Sequence, residues 1–208
     1  MGTTNFVVRY DGGCLIASDT RTTRGAFIED RNARKMNDIS PSTANFGGIW
    51  VVRCGNAAHS QVLTRYAYNY LTYHAMELSE NDSIKLETLA NIFQSITYNN
   101  KEHLSASFIL TNGNKIMSVH KSGAVFDHQL FYAQGSGSTY IDGFLKTNLR
   151  PGLPYAAVEK ICAQAMALAI NSDTASGGNL TLVDIKEDGS STTKVIFNDQ
   201  LRDLLTPK

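Results

Sequence analysis

Between Ala58 and Ala75 apolar residues return every three to four positions, through Val62/Leu63, Tyr66/Ala67 and Tyr70/Leu71. This spacing predicts an amphipathic helix over residues 57–78. Before it the period is that of strands. Thr3 to Tyr10 is rich in Thr and Val, Asp11-Gly12-Gly13 reads as a turn, and Cys14 to Ser18 reads as the return strand of a hairpin. Short strands are expected near Ala26–Glu29, Ala33–Met36, Ala44–Gly47 and Ile49–Arg53. Beyond the first helix a second is expected, capped by Asp82 or Ser83, with Leu86, Leu89/Ala90, Phe93 and Ile96 on its inner face. Strands return at Ser105–Thr111 and Lys115–His120, joined by an Asn112-Gly113 turn, and at Ala124–Phe126 and Leu130–Ala133. Two more helices follow, one after Gly135-Ser136-Gly137-Ser138 and one from Pro154 to Ile170. Strands at Gly178–Ile185 and Thr192–Phe197 then precede a short tail.

The order is strands, two helices, strands, two helices, strands. Helices and strands do not alternate one by one, which argues against a doubly wound parallel sheet. Two antiparallel sheets with a helix pair on each outer face fit the order, so the fold class is α+β. The helix near Ile161–Ile170 is apolar on most sides, as a helix buried between layers must be. A length of 208 residues suits one domain, and no repeat, linker or low-complexity stretch marks a second.

Composition removes several classes of function. Nineteen Lys and Arg balance nineteen Asp and Glu, leaving no basic footprint for nucleic acid or anionic lipid. No run approaches the roughly 18–20 apolar residues of a membrane span. Charged residues are only 18% of the chain, a weak protection against association and a hint of buried subunit interfaces. Three dispersed cysteines (Cys14, Cys54, Cys162) form neither a disulfide framework nor a zinc site, and are read as small core residues in a reducing compartment. The five histidines are scattered and are read as surface or helix-side residues. Phosphate loops, dinucleotide fingerprints and nucleophile elbows are absent, and no cofactor is expected.

The N-terminus remains. If the chain is cut after Gly2, Thr3 carries a hydroxyl nucleophile and a free α-amine. That amine has an ordinary pKa of about 7.7–8.0 and serves as a general base near neutral pH. In the expected hairpin Asp19 lies beside Thr3, and Lys35 on a nearby strand reaches the same point. A Lys ammonium there lowers the pKa of the Thr amine and stabilises negative charge on its oxygen, while Asp19 orients the Lys. A plain surface Asp–Lys pair is the competing reading of the same residues.

The motifs Thr3-Thr4, Tyr10-Asp11-Gly12-Gly13, Ser18-Asp19-Thr20-Arg21-Thr22-Thr23, Arg34-Lys35, Cys54-Gly55-Asn56-Ala57-Ala58, Gly135-Ser136-Gly137-Ser138 and Asp173-Thr174-Ala175-Ser176-Gly177-Gly178 resemble those of catalytic β-type subunits of the eukaryotic proteasome core particle. The resemblance runs from Thr3 to about residue 200. It is nearest the caspase-like (beta-one) type, whose pocket arginine Arg53 matches, two residues before Gly55. The resemblance implies a four-layer αββα sandwich of the N-terminal-nucleophile hydrolase type. Met1-Gly2 is then a short leader to be removed, and residues 3–208 a single β-type domain. It also implies Thr3 as nucleophile, Asp19 and Lys35 as its tuning pair, and Ser136, Asp173 and Ser176 as supporting groups. The Gly55 N–H is implied as oxyanion donor, with Arg53, Thr22, Thr23 and Ala57 binding substrate. Further implications are cleavage of unfolded polypeptides after acidic residues, assembly with other α- and β-type subunits in stacked seven-membered rings, and a cytoplasmic and nuclear location. A non-catalytic ring subunit, and the peptidase of a bacterial two-component ATP-dependent protease, are the alternatives. The Asn37–Val52 stretch is longer than the family's usual turn.

Overall fold

The structure is a computed structural model that describes residues 2–41, 48–78 and 84–204. Twelve strands and five helices are placed among them. The first group comprises β1 (Asn5–Tyr10), β2 (Gly13–Asp19), β3 (Thr22–Arg24), β4 (Phe27–Asp30), β5 (Met36–Asp38) and β6 (Trp50–Gly55). Helices α1 (Ala57–Glu77) and α2 (Leu86–Asn99) precede β7 (Ala106–Thr111), β8 (Ile116–Val119), β9 (Val125–His128) and β10 (Phe131–Gln134). Then come α3 (Ser138–Asn148), α4 (Tyr155–Ser172), β11 (Leu180–Lys186), β12 (Ser191–Ile196) and α5 (Asn198–Asp203).

The strands form two five-stranded antiparallel sheets, ordered β10-β1-β2-β11-β12 and β5-β6-β7-β8-β9, and a separate β3-β4 hairpin. Helix α4 packs on β1 and β2 of the first sheet, with α3 beside it; α1 and α2 pack on β6, β7 and β8 of the second. The strand period of two sorts the core. Phe6, Val8, Leu15 and Ala17 turn to the α3–α4 side, while Val7, Cys14 and Ile16 turn to the other sheet. On the second sheet Val51, Phe108 and Leu110 face α1 and α2, and Trp50, Val52 and Ile109 face the first sheet. A strand covered on both faces has no position left for a polar alternation, which is why all seven residues of β2 are buried.

Several sequence expectations are corrected. The first strand begins at Asn5 rather than Thr3, because the Thr3 and Thr4 amides donate to side chains and not to a ladder. Ala33–Lys35 is not a strand: the Ala33 N–H bonds the Thr20 carbonyl, and pairing with β6 starts where Arg53 N–H meets the Lys35 carbonyl at 2.8 Å. The tail carries α5, whose single buried apolar residue, Leu201, gives no readable period. Helix α2 starts after Lys85 with no side-chain cap, so neither Asp82 nor Ser83 is its immediate cap; both residues, like the expected strand at Ala44–Gly47, lie outside the described residues.

Candidate active site

The strand ends place the site. β1 starts, β2 ends and β11 starts at one end of the first sheet, while β5 starts and β6 ends at the corresponding end of the second. Thr3 therefore enters from the first sheet, with Asp19 at the end of β2 beside it. Lys35 and Gly55 arrive from the second sheet. Thr3, Thr22, Lys35, Arg53, Gly55 and Ala57 line one cleft together with Gly2 and Cys54.

Asp19 is fully buried and organises the centre. Its Oδ1 accepts the Thr4 N–H at 2.9 Å and the Lys35 ammonium at 2.5 Å, and its Oδ2 accepts the Gly177 N–H at 3.1 Å. Lys35 is itself 8% exposed. Burial pulls its pKa below the ordinary lysine value, and the Asp19 carboxylate opposes that pull. The pair is not the exposed surface pair of the competing reading.

A second network approaches Thr3 from the other side. The Thr3 N–H donates to Ser136 Oγ at 3.3 Å, and Ser136 and Ser176 each donate to Asp173 Oδ2 at 2.6 Å. Ser176 Oγ also lies 2.7 Å from Thr4 Oγ1. Burial alone raises the Asp173 pKa, but the hydroxyls of Ser136 and Ser176 and the Ala175 N–H outweigh it and leave the carboxyl below its usual value. The Thr3 hydroxyl donates to the Gly2 carbonyl at 2.6 Å. Thr3 thus contacts the Ser136 hydroxyl and the carbonyl of its own preceding peptide, and shares its cleft with the Lys35 cation.

Gly55 adopts φ +95°, and a Cβ there would stand 2.6 Å from the Ser105 carbonyl oxygen, so no other residue keeps this turn. Arg53 lies on β6 at the cleft wall. Its Nε donates to Asn37 Oδ1 at 3.0 Å and its Nη2 to the Arg34 carbonyl at 2.7 Å. Among the described residues no carboxylate pairs with it, and burial lowers its pKa. The pairing of Met36 with Val52 fixes the register ahead of Arg53, although residues 42–47 of the long turn lie outside the described residues. Thr23 is buried on β3, and its hydroxyl accepts the Gly2 N–H at 3.0 Å.

Other residues of the site stand out only in the fold. Asn5 and Gln134 reach between the sheets, donating to the carbonyls of Arg53 (2.7 Å) and Val52 (3.1 Å). In the sequence each is a polar residue at one end of a strand, Asn5 of β1 and Gln134 of β10. Cys54 is half-buried in the cleft and not a core residue; burial raises its thiol pKa. Two of the histidines are not scattered. His120 Nε2 lies 2.9 Å from the Tyr132 hydroxyl, and His128 stacks on the same ring with its Nε2 2.8 Å from Ser118 Oγ.

A family model described as "Proteasome subunit" matches residues 1–185. "Proteasome subunit beta type-6" of Dictyostelium discoideum is 33% identical, over 91% of this chain and 86% of the relative. "Probable proteasome subunit beta type-1" of Schizosaccharomyces pombe is 31% identical, over 91% and 82%. "Proteasome subunit beta type-9" of Rattus norvegicus is 31% identical, over 96% and 89%.

Proposed function

The chain belongs to the proteasome subunit family, among relatives of β type, and from that premise we propose that it is a catalytic threonine endopeptidase subunit. One observation carries this: Thr3 stands between the buried Asp19–Lys35 pair and the Ser136–Asp173–Ser176 network, with its hydroxyl 2.6 Å from the Gly2 carbonyl oxygen. Three apolar clusters, one between the sheets and one under each helix pair, support the αββα layering of an N-terminal-nucleophile hydrolase.

While Gly2 is attached, the Thr3 nitrogen is an amide and accepts no proton. Activation is self-cleavage. The Thr3 hydroxyl oxygen attacks the Gly2 carbonyl carbon, and the Gly2–Thr3 C–N bond breaks. The hydroxyl proton ends on the departing nitrogen, leaving an ester. Water then hydrolyses the ester, freeing the Thr3 hydroxyl and amine. In the mature site the amine takes the hydroxyl proton as the oxygen attacks a substrate carbonyl. The buried Lys35 cation stabilises the oxygen and disfavours a second nearby cation on the amine. Negative charge developing on the substrate carbonyl oxygen meets the Gly55 N–H.

The preference for acidic residues rests on Arg53. Thr22 and Ala57 line the cleft, with Thr23 next to Thr22 on β3, where an extended substrate pairs by its backbone. The subunit works with α- and β-type partners in stacked seven-membered rings, in cytoplasm and nucleus, on unfolded polypeptides. The deciding variant is Thr3→Ala in an assembly with no wild-type copy. Cleavage after acidic residues is lost while assembly is kept; persisting turnover overturns the assignment.

A further inference from the structure

Gly2 has no side chain and the widest backbone freedom of any residue, yet self-cleavage needs its carbonyl held on one oxygen. No side chain can be added for that purpose. A Cβ at position 2 would lie 2.1–2.2 Å from the carbonyl oxygen, carbonyl carbon and Cβ of Ala175. The orientation must come from polar groups on either side of the residue. On the far side the Thr3 N–H donates to Ser136 Oγ at 3.3 Å. On the near side the Gly2 N–H donates to Thr23 Oγ1 at 3.0 Å, in a buried environment. Thr23 is 6% exposed and follows a register shift between Thr22 and Thr23 in the β3–β4 hairpin. Such an irregularity re-aims a side chain relative to a regular ladder.

We infer that the Thr23 hydroxyl is a positioning residue for the self-cleavage of the Gly2–Thr3 bond. It clamps the Gly2 amide so that the Gly2 carbonyl stays on the Thr3 hydroxyl. The inference rests on the self-cleavage reading above. Thr23 gives up no atom in the step: the Thr3 Oγ–Gly2 C bond forms, the Gly2 C–Thr3 N bond breaks, the hydroxyl proton goes to Thr3 N, and water later splits the ester. With the clamp at one end and Ser136 at the other, rotation of the Gly2 peptide away from the nucleophile is suppressed. Without the clamp, the Ser136 contact and the Thr3 hydroxyl itself are what hold this peptide among the described residues. Geometric misplacement on the scale of 1 Å costs on the order of 100-fold in rate.

The test follows the mass of the full chain, expressed with its assembly partners, through time. Thr23→Val keeps the shape and removes the acceptor. It is expected to lose the mass of the segment preceding Thr3 at least about tenfold more slowly than wild type, with incorporation unchanged. Thr23→Ser keeps the acceptor and is expected to be processed at the wild-type rate. If Thr23→Val does not accumulate, Thr23→Ala against Thr23→Ser makes the same comparison. Wild-type processing of Thr23→Val overturns the inference. So does Thr23→Ser as slow as Thr23→Val, which would assign the effect to packing. Loss of the same mass by Thr3→Ala at the wild-type rate is a separate outcome and overturns the self-cleavage reading beneath it.

Discussion

Under the proposed reading Arg53 has two competing duties. Its Nε and Nη2 are committed to Asn37 and the Arg34 carbonyl, yet it lines the cleft and has no carboxylate partner among the described residues. A buried guanidinium without a counter-charge favours a carboxylate that arrives with the substrate. Loss of a charged partner in a partly desolvated pocket costs about 2–5 kcal/mol. Arg53→Gly is therefore expected to lower kcat/KM for acidic peptides by roughly 30-fold or more. Peptides with small neutral residues before the cut should lose far less. Equal losses would show that Arg53 serves the strand pairing through Asn37 and does not read the substrate. Asp173 makes a prediction about pH. Its folded pKa lies below the usual carboxyl value of 3.8, so its contribution to stability is complete above that value and is lost as pH falls through the folded pKa. Asp173→Asn should flatten the acid limb of melting temperature against pH over that window. An unchanged limb would mean that the Ser136 and Ser176 hydroxyl contacts do not favour the ionised form.

Among the elements, α1 ties the site to the helix layer. Asn56 directly follows Gly55, and its side chain accepts from the N–H groups of Ala58 and His59 at the start of the helix. Replacing such a cap by Ala costs about 1 kcal/mol. Asn56→Ala should lower stability by that amount, read by thermal unfolding, and should reduce turnover because Gly55 and Ala57 lose their common anchor. Wild-type turnover with the stability loss intact would separate the cap from the cleft. The long elements were the legible ones. The three-to-four period gave α1 to within one residue of its observed end, and the Asn112-Gly113 turn falls between β7 and β8 where Asn112 accepts the Asn114 and Lys115 amides. Short elements stayed hidden. β3 has three residues and no period, and α5 buries only Leu201. Asp19 and Lys35 were legible because a carboxylate and an ammonium near a Thr have a clear chemical use. Asn5 and Gln134 were not, since a lone amide in a strand looks like any polar interruption until its partner across the sheets is known.

At the scale of the whole molecule, the site is divided between two sheets that share no ladder. Thr3 leads into β1 and Asp19 ends β2 of one, Lys35 leads into β5 and Gly55 ends β6 of the other, and the 2.5 Å contact of Asp19 with Lys35 spans the division. Apolar packing between the sheets, through residues such as Ile16, Trp50 and Ile109, is strong but non-directional. Direction comes from the amides. Asn5 Nδ2 donates to the Arg53 carbonyl and its Oδ1 accepts from Ser18, while Gln134 Nε2 donates to the Val52 carbonyl. Each holds one sheet against the other beside the cleft that Thr3 lines. Asn5→Ala strips the buried Arg53 carbonyl and the Ser18 hydroxyl of a partner, a loss of about 1–3 kcal/mol per unsatisfied group. It should lower the melting temperature and slow cleavage of acidic and neutral peptides alike, because the offset moves Thr3 relative to Lys35 and Gly55 rather than altering the pocket. That common loss is the opposite of the selective loss expected for Arg53→Gly, so the two variants assayed on the same pair of peptides separate sheet register from substrate recognition. If Asn5→Ala loses stability but keeps turnover on both peptides, the apolar layer alone sets the register and the amides only satisfy the carbonyls they meet.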